Sequence, residues 1–356
     1  MIPTRQNITN FTKSELEEEF IKLGEKPFRA RQVWNWFYTK GVKSFAEMGN
    51  ISKEIRNILD ENFSLSRPEI SKDLISFDGT RKCLIKFSDS REVEFVFIPE
   101  ETRATLCISS QVGCTLSCKF CHTGTQTFVR NLEAGEIVAQ ILMAKDLIDD
   151  WNKSNSCLTH IVFMGMGEPF FNYDNVAKAV KILNDEDGLS ISSRRITIST
   201  SGLVPEILRS ASELKTNLAI SLHATNDALR TEIMAINKRY PLKDLLGACK
   251  TYNQFNPGKK ITFEYVMLRG VNDGEGQANE LVGLIKKFNL NAKINLIPFN
   301  PWGGCGYNSS DLVTIERFQR ILKDAGLISP IRKTRGDDVL AACGQLRSES
   351  ERKKKA

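Results

Sequence analysis

No run of apolar residues in this 356-residue sequence is long enough to span a membrane; the strongest, CLIKF and HIVFMGM, are strand-sized and interrupted. No apolar signal segment follows the opening MIPTRQNITN, and the cysteines outside one loop are scattered along the chain. That argues against a disulfide-stapled secreted fold, and a reducing, cytoplasmic setting is expected. Internal repeats are missing, and low complexity is confined to the basic tail SERKKKA, expected to be disordered and solvated. Neither sign of charge dominates: 49 Lys and Arg stand against 43 Asp and Glu, a net +6 that suits a nucleic-acid partner without pointing to one. The most telling shortage is local. GCTLSCKFCHTGTQ, residues 113–126, holds Cys114, Cys118 and Cys121 in C-x3-C-x2-C spacing. No fourth cysteine lies nearby to close a tetrahedral zinc site.

What is present is ordinary globular composition, 41% hydrophobic and 26% charged. The length suits one large α/β domain with an appendage, or two domains. Residues 1–65 read as a helical accessory domain. TKSELEEEFIKLG opens on a capping Thr or Ser, carries acids in its first turn and stops at Gly24; Pro27 and Gly41 bracket a second helix. Residues 66–103 read as a β-hairpin extension built from KCLIKF and DSREVEFVFI. From 104 to 335, six short apolar runs (ATLCIS, LTHIVFMGM, RRITIST, TNLAISLHA, ITFEYVML and AKINLIPF) alternate with helix-period stretches. One such stretch, LEAGEIVAQILMAKDLIDD, aligns Ile137, Ile141, Ala144 and Ile148 on one face. Six β/α units are too few for a closed eightfold barrel, so the expected fold is α/β, a partial (β/α)6 barrel. Its functional residues should gather at the carboxyl ends of the strands. Residues 336–356 form a C-terminal segment.

The cysteine loop follows the first of these strands. Three thiolates can hold a [4Fe–4S] cluster by three of its irons and leave the fourth open. With Phe120 before the last cysteine, the loop resembles the signature of the radical S-adenosylmethionine superfamily, and GMGEP (165–169) resembles its Gly-Glu-Pro element. LCISSQVGCTLSCKFCHTGTQTFVRNL, TRGDDVLAACGQL and KPFRARQVWNWFY together are similar to the bacterial dual-specificity RNA (adenine-C2) methyltransferases, over nearly the whole chain.

That resemblance implies methylation of adenosine 2503 in 23S rRNA and adenosine 37 in tRNA, with two S-adenosylmethionine molecules per turnover and a flavodoxin or ferredoxin-type reductant. It implies Cys114, Cys118 and Cys121 as cluster ligands, and Cys343 as the carrier of the methyl group. Cys107 would be the thiol that resolves the adduct through a transient disulfide, and Glu94 the proton acceptor. Gly167, Glu168, Ser199, Ser221, Leu222, His223 and Asn300 would contact S-adenosylmethionine. Strand alternation places Glu94 beside Val96 and Ile98, a setting that raises a carboxyl pKa toward that of a general base.

Cys83, Cys157, Cys249 and Cys305 are expected in packing or loops, and His122 has no evident mechanistic role. Arg29, Arg31, Lys40 and Lys43 alternate with Trp34, Trp36, Phe37 and Tyr38, as basic and stacking groups do in RNA-binding segments; the aromatics are expected mostly inside and the cations outside. INKRYP (236–241) is a second basic candidate. Three rival readings share these motifs in part: a C8-specific rRNA methyltransferase, a non-catalytic iron–sulfur carrier and a zinc-dependent RNA-binding module.

Overall fold

The computed structural model describes residues 5–65 and 67–348, so the basic tail lies outside the described residues. Three helices open the chain: α1 (Lys13–Lys22), α2 (Pro27–Thr39) and α3 (Lys53–Asn62). Thr12 and Glu15 close a capping box on α1, and Pro27 starts α2, where its missing N–H costs no hydrogen bond. Trp34, Phe37 and Tyr38 are buried, while Arg31, Lys40 and Lys43 stand in solvent and Arg29 is half-buried.

Nine strands then form one sheet whose spatial order follows the sequence. β1 (Glu69–Ile75), β2 (Arg81–Lys86) and β3 (Glu92–Pro99) are antiparallel. β3 pairs antiparallel with β4 (Ala104–Cys107), which begins the parallel half. β5 (Leu158–Phe163), β6 (Ile196–Thr200), β7 (Asn217–Ser221), β8 (Ile261–Met267) and β9 (Ala292–Pro298) follow, each parallel to the last. This is the expected six-stranded partial barrel. The expected hairpin, however, has a third strand, β1, and it continues the barrel sheet. β1 is the sheet edge, exposed along nearly its whole length, so EISKDLI carries no apolar alternation to announce it.

Among the described residues, seven further α-helices complete the fold: α4 (Ala134–Leu147), α5 (Tyr173–Asn184), α6 (Val204–Glu213), α7 (Asp227–Ile233), α8 (Leu242–Phe255), α9 (Glu275–Phe288) and α10 (Leu312–Asp324). α4 is buried from Ala134 to Ala144 except at the half-buried Glu136, because the N-terminal domain covers its outer side. Asn10 accepts the Gly135 N–H at 2.7 Å, and Trp34 Nε1 donates to Asp185 at 3.1 Å. Lys178 pairs with Glu15 at 2.8 Å and Arg67 with Asp146 at 3.0 Å. The single apolar face read from the sequence is thus extended to nearly the whole circumference by this docking.

After α10 the chain runs beside β9, with Arg332 N–H bonded to the Leu296 carbonyl at 2.8 Å. It then crosses the open end of the barrel as a strap, residues 336–348. Among the described residues no helix is long and apolar enough to cross a membrane.

Candidate active site

The cysteine loop leaves β4 and is pinned at its base by a two-residue antiparallel ladder, Gln111–Val112 against Arg130–Asn131. Gly113 (φ +74°) lets the chain fold back so tightly that a Cβ there would lie 2.2 Å from the Thr127 carbonyl oxygen. Cys114, Cys118 and Cys121 carry free thiols and line one wall of a cavity of about 1020 Å³ at the carboxyl ends of the parallel strands. Burial raises all three thiols, Cys114 to about 12, and the mutual repulsion of neighbouring thiolates adds to this at Cys114 and Cys118. A group that binds these sulfurs must therefore supply positive charge. Among the described residues no three His, Cys, Asp or Glu side chains are set to hold one metal ion. Three free thiols on one cavity wall fit a cluster in which each binds a different iron.

The opposite walls come from the strand ends. Gly167, Glu168, Ser199, Ser221, His223 and Asn300 all line this cavity, as does Cys343. Gly167 (φ +94°) brings its backbone so near Gln111 that a Cβ would stand 2.5 Å from that side chain. The Glu168 carboxylate accepts from Phe170 N–H at 3.1 Å and from both Ser201 N–H (2.7 Å) and Ser201 Oγ (2.5 Å). Burial raises its pKa and these donors oppose the rise. His223 accepts the Val266 N–H on Nδ1 at 3.0 Å, so the neutral ring carries its proton on Nε2. Burial, helped by the Arg230 charge, lowers its pKa to about 3. Leu222 is fully buried, and its side chain is not part of the cavity wall.

Cys343 belongs to two cavities. The second, about 1040 Å³, holds Cys107 and is rimmed by Arg332, Lys333 and Arg335. Cys107 is buried, and burial, then the facing Cys343 sulfur, push its thiol well up. Cys343 is open to solvent at its surface yet crowded by protein around its sulfur. Crowding raises its thiol, Arg332 lowers it, and Glu264 and Cys121 raise it further.

The strap that carries Cys343 is bonded on both sides. From the cysteine loop, His122 N–H donates to the Gly344 carbonyl at 2.7 Å and Thr123 Oγ1 to the Leu346 carbonyl at 2.5 Å. The His122 ring stacks on Trp302 at 4.6 Å between centroids, and its Nδ1 lies 3.3 Å from the Gln345 carbonyl. From the antiparallel strands, Lys82 Nζ donates to the Leu340 carbonyl at 3.1 Å and pairs with Glu94 at 3.1 Å. Glu94 in turn accepts the Arg347 N–H at 2.8 Å. Glu94 is therefore no solvated hairpin residue. It is 6% exposed, and burial raises its pKa against the opposing pull of Lys82 and the Arg347 N–H. It lines neither cavity and reaches them through the strap.

Several wall residues carry no motif in the sequence: Ser201, Glu264, Arg332 and, just behind the wall, Arg230. Only Glu264 had a signal, an acid inside the fully buried run ITFEYVM. It accepts from Asn295 at 3.0 Å. Of the other cysteines, Cys83 and Cys249 are buried, Cys305 half-buried and Cys157 exposed. In INKRYP, Asn237 is buried and Lys238 and Arg239 are exposed.

Comparison with known proteins gives this geometry a family. Residues 6–65 match the ribosomal RNA large subunit methyltransferase N-terminal domain, and residues 108–282 match the radical SAM superfamily. A dual-specificity RNA methyltransferase RlmN from Chelativorans sp. (strain BNC1) is 52% identical over 99% of this chain and 90% of its own length. One from Mesorhizobium japonicum is 51% identical over 99% and 91%. A radical SAM methyltransferase from Sphaerobacter thermophilus superposes with a TM-score of 0.91 at 40% identity, covering 96% of this chain and 99% of the other. The chain belongs to the RlmN family of radical SAM methyltransferases, S-adenosylmethionine-dependent enzymes that act on RNA.

Proposed function

We propose that this enzyme methylates C2 of adenosine 2503 in 23S rRNA and of adenosine 37 in tRNA, using Cys343 as a covalent carrier. The observation that carries the reading is the place of Cys343 in the wall of both cavities, opposite the cysteine loop in one and facing Cys107 in the other. Adenine C2 is electron-poor and does not attack a methyl sulfonium, so a methyl group must reach it by another route.

Cys114, Cys118 and Cys121 would hold a [4Fe–4S] cluster, which, given a flavodoxin or ferredoxin-type reductant, would supply the one-electron chemistry that turns S-adenosylmethionine into a hydrogen-abstracting species. Cys343 first takes a methyl group from one S-adenosylmethionine onto its sulfur. Its open face toward the first cavity suits both that displacement and the later loss of one methyl hydrogen. The sulfur-bound carbon, left with one unpaired electron, then adds to adenine C2 in the second cavity, whose Arg332, Lys333 and Arg335 suit RNA phosphate, and the adduct returns that one electron to the oxidised form of the reductant as it loses the C2 proton. Glu94, whose proton affinity burial raises, accepts the proton released from C2 through the strap it contacts. Cys107 attacks the Cys343 sulfur, and the sulfur–carbon bond breaks with its electron pair going to carbon, which takes a proton. The resulting disulfide is reduced before the next cycle. Gly167, Glu168, Ser199, Ser221, His223 and Asn300 surround the space for S-adenosylmethionine, and the Leu222 backbone supports that wall.

The test is mass spectrometry of rRNA and tRNA from cells with and without the gene, locating the methyl group on the base. Loss of 2-methyladenosine from both RNAs is expected. Loss of 8-methyladenosine instead overturns the C2 assignment, and loss from rRNA alone overturns dual specificity.

A further inference from the structure

Arg230, on α7, is fully buried behind the wall of the first cavity. No carboxylate lies within ion-pair distance of it among the described residues. Its guanidinium is held by neutral oxygens alone. Nε donates to the Leu222 carbonyl at 3.0 Å, and Nη2 donates to the carbonyls of Ser201 and Ser221 at 2.7 and 3.0 Å. Nη1 donates to Asn237 Oδ1 at 2.9 Å, and Asn237 is itself fixed by Asp227. Arginine's planar fork suits such a task, because it meets several acceptors at set angles. Burying this cation without an anion is costly, and four hydrogen bonds offset only part of the cost.

Two features say where the missing negative charge belongs. The carbonyls it grips sit at the carboxyl ends of β6 and β7, beside the cavity-lining side chains of Ser199, Ser221 and His223. Ser201, whose carbonyl Arg230 holds, also gives its N–H and hydroxyl to Glu168. The cysteine loop is tied to the same helix, through the Lys119 N–H bonded to the Ile233 carbonyl at 3.0 Å.

We propose that Arg230 is a positioning residue of the cofactor pocket: it sets the spacing of the β6 and β7 carbonyl ends around S-adenosylmethionine, and its positive charge faces the anionic thiolate–cluster assembly. This rests on the cofactor reading given above. Charge and shape are separable here. Lysine keeps the cation and loses the fork; glutamine loses the cation and keeps part of the hydrogen bonding.

The experiment uses anaerobically reconstituted wild type, Arg230→Lys, Arg230→Gln and Asn237→Ala. Three quantities are measured: S-adenosylmethionine affinity by equilibrium dialysis, the split between KM and kcat, and the cluster midpoint potential by electron paramagnetic resonance titration. Arg230→Lys should weaken S-adenosylmethionine binding roughly tenfold, the scale of losing one charge-assisted hydrogen bond, and raise KM more than it lowers kcat. Its potential should stay near wild type. Arg230→Gln should weaken binding as much and also shift the potential to more negative values, since a nearby buried cation favours the reduced cluster. A merely structural residue would move stability but not potential. Folded Arg230→Gln protein with wild-type affinity and potential overturns the proposal. Should the Arg230 variants not fold, Asn237→Ala decides: weaker binding at unchanged potential supports it, and unchanged binding overturns it. A wild-type protein that holds no iron after reconstitution fails the cofactor reading itself, before any variant is compared.

Discussion

The nine-stranded sheet has two halves that divide the work differently. The parallel half presents six carboxyl ends to one side, and the first cavity forms there from residues far apart in sequence. The antiparallel half cannot do this, because its strand ends alternate in direction. It contributes instead through the side chains of Lys82 and Glu94, which fasten the strap that delivers Cys343. One half builds the pocket and the other fastens the strap that closes it. Direction of strands, rather than composition, separates the two tasks.

The sharpest break of this division falls in the parallel half. Cys118→Ala should abolish iron retention after anaerobic reconstitution while leaving far-ultraviolet circular dichroism unchanged, because the loop adds little to the barrel core. Full iron occupancy would remove the loop from the cofactor site.

Next come the two thiols of the proposed relay, Cys107 and Cys343, which both line the second cavity. Cys107→Ala should accumulate as a covalent RNA adduct through Cys343, and Cys343→Ala should carry no RNA. Denaturing gels with and without nuclease read the difference, and RNA-free protein in both cases would end the relay.

A smaller effect tests the antiparallel fastening. Lys82→Met leaves Glu94 buried beside the strap without its cation, and should cost about 3 kcal/mol in urea unfolding at neutral pH. The deficit should shrink on acidification, as Glu94 protonates and no longer needs a partner.

His223 sharpens the comparison from the cavity side. Its folded pKa of about 3 lies below its ordinary 6.5, so the unfolded chain binds the extra proton in acid. The neutral ring is at its best above 6.5, and stability is lost as the pH falls from there toward about 3. At pH 5.5 wild type should have lost about 1.4 kcal/mol more than His223→Gln, relative to pH 7.5.

Glu94 runs the other way. Its folded pKa is raised above 4.5, so the folded protein binds more protons between the two values. The contribution is fully present below 4.5 and is lost as the pH rises through the folded pKa. Measured against Glu94→Gln, wild type should therefore lose ground across that window, a loss tempered by the Lys82 charge. Turnover of Glu94→Gln should fall while the RNA-bound adduct builds up.

The sequence made the parallel half legible because its strands are buried, β-branched and bounded by helices, so each run from ATLC to AKINLIP stands out. The cysteine loop could be read from its spacing, and the strand-end residues from the family resemblance. β1 was missed because an exposed edge strand has no core face to pattern it. Arg230 and Arg332 were missed for a different reason. An arginine in a helical or loop stretch reads as a surface charge until its burial is known, and that depends on elements far away in the chain. Glu94 was placed correctly beside Val96 and Ile98. The reason both faces of β3 are covered is the strap, some 250 residues later, which no local pattern announces.

That separation sets an order of events during synthesis. The bonds of Ser76 to Asp338 and of Gln126 to Ser348 join residues 262 and 222 positions apart. Domains fold as they emerge, from the N-terminal side onward. The sheet, both cavities' permanent walls and the cysteine loop are therefore all available before residues 336–348 leave the ribosome. On the relay proposed above, the cluster site is complete while Cys343 is still absent, and the enzyme stays unarmed until the strap crosses the barrel mouth.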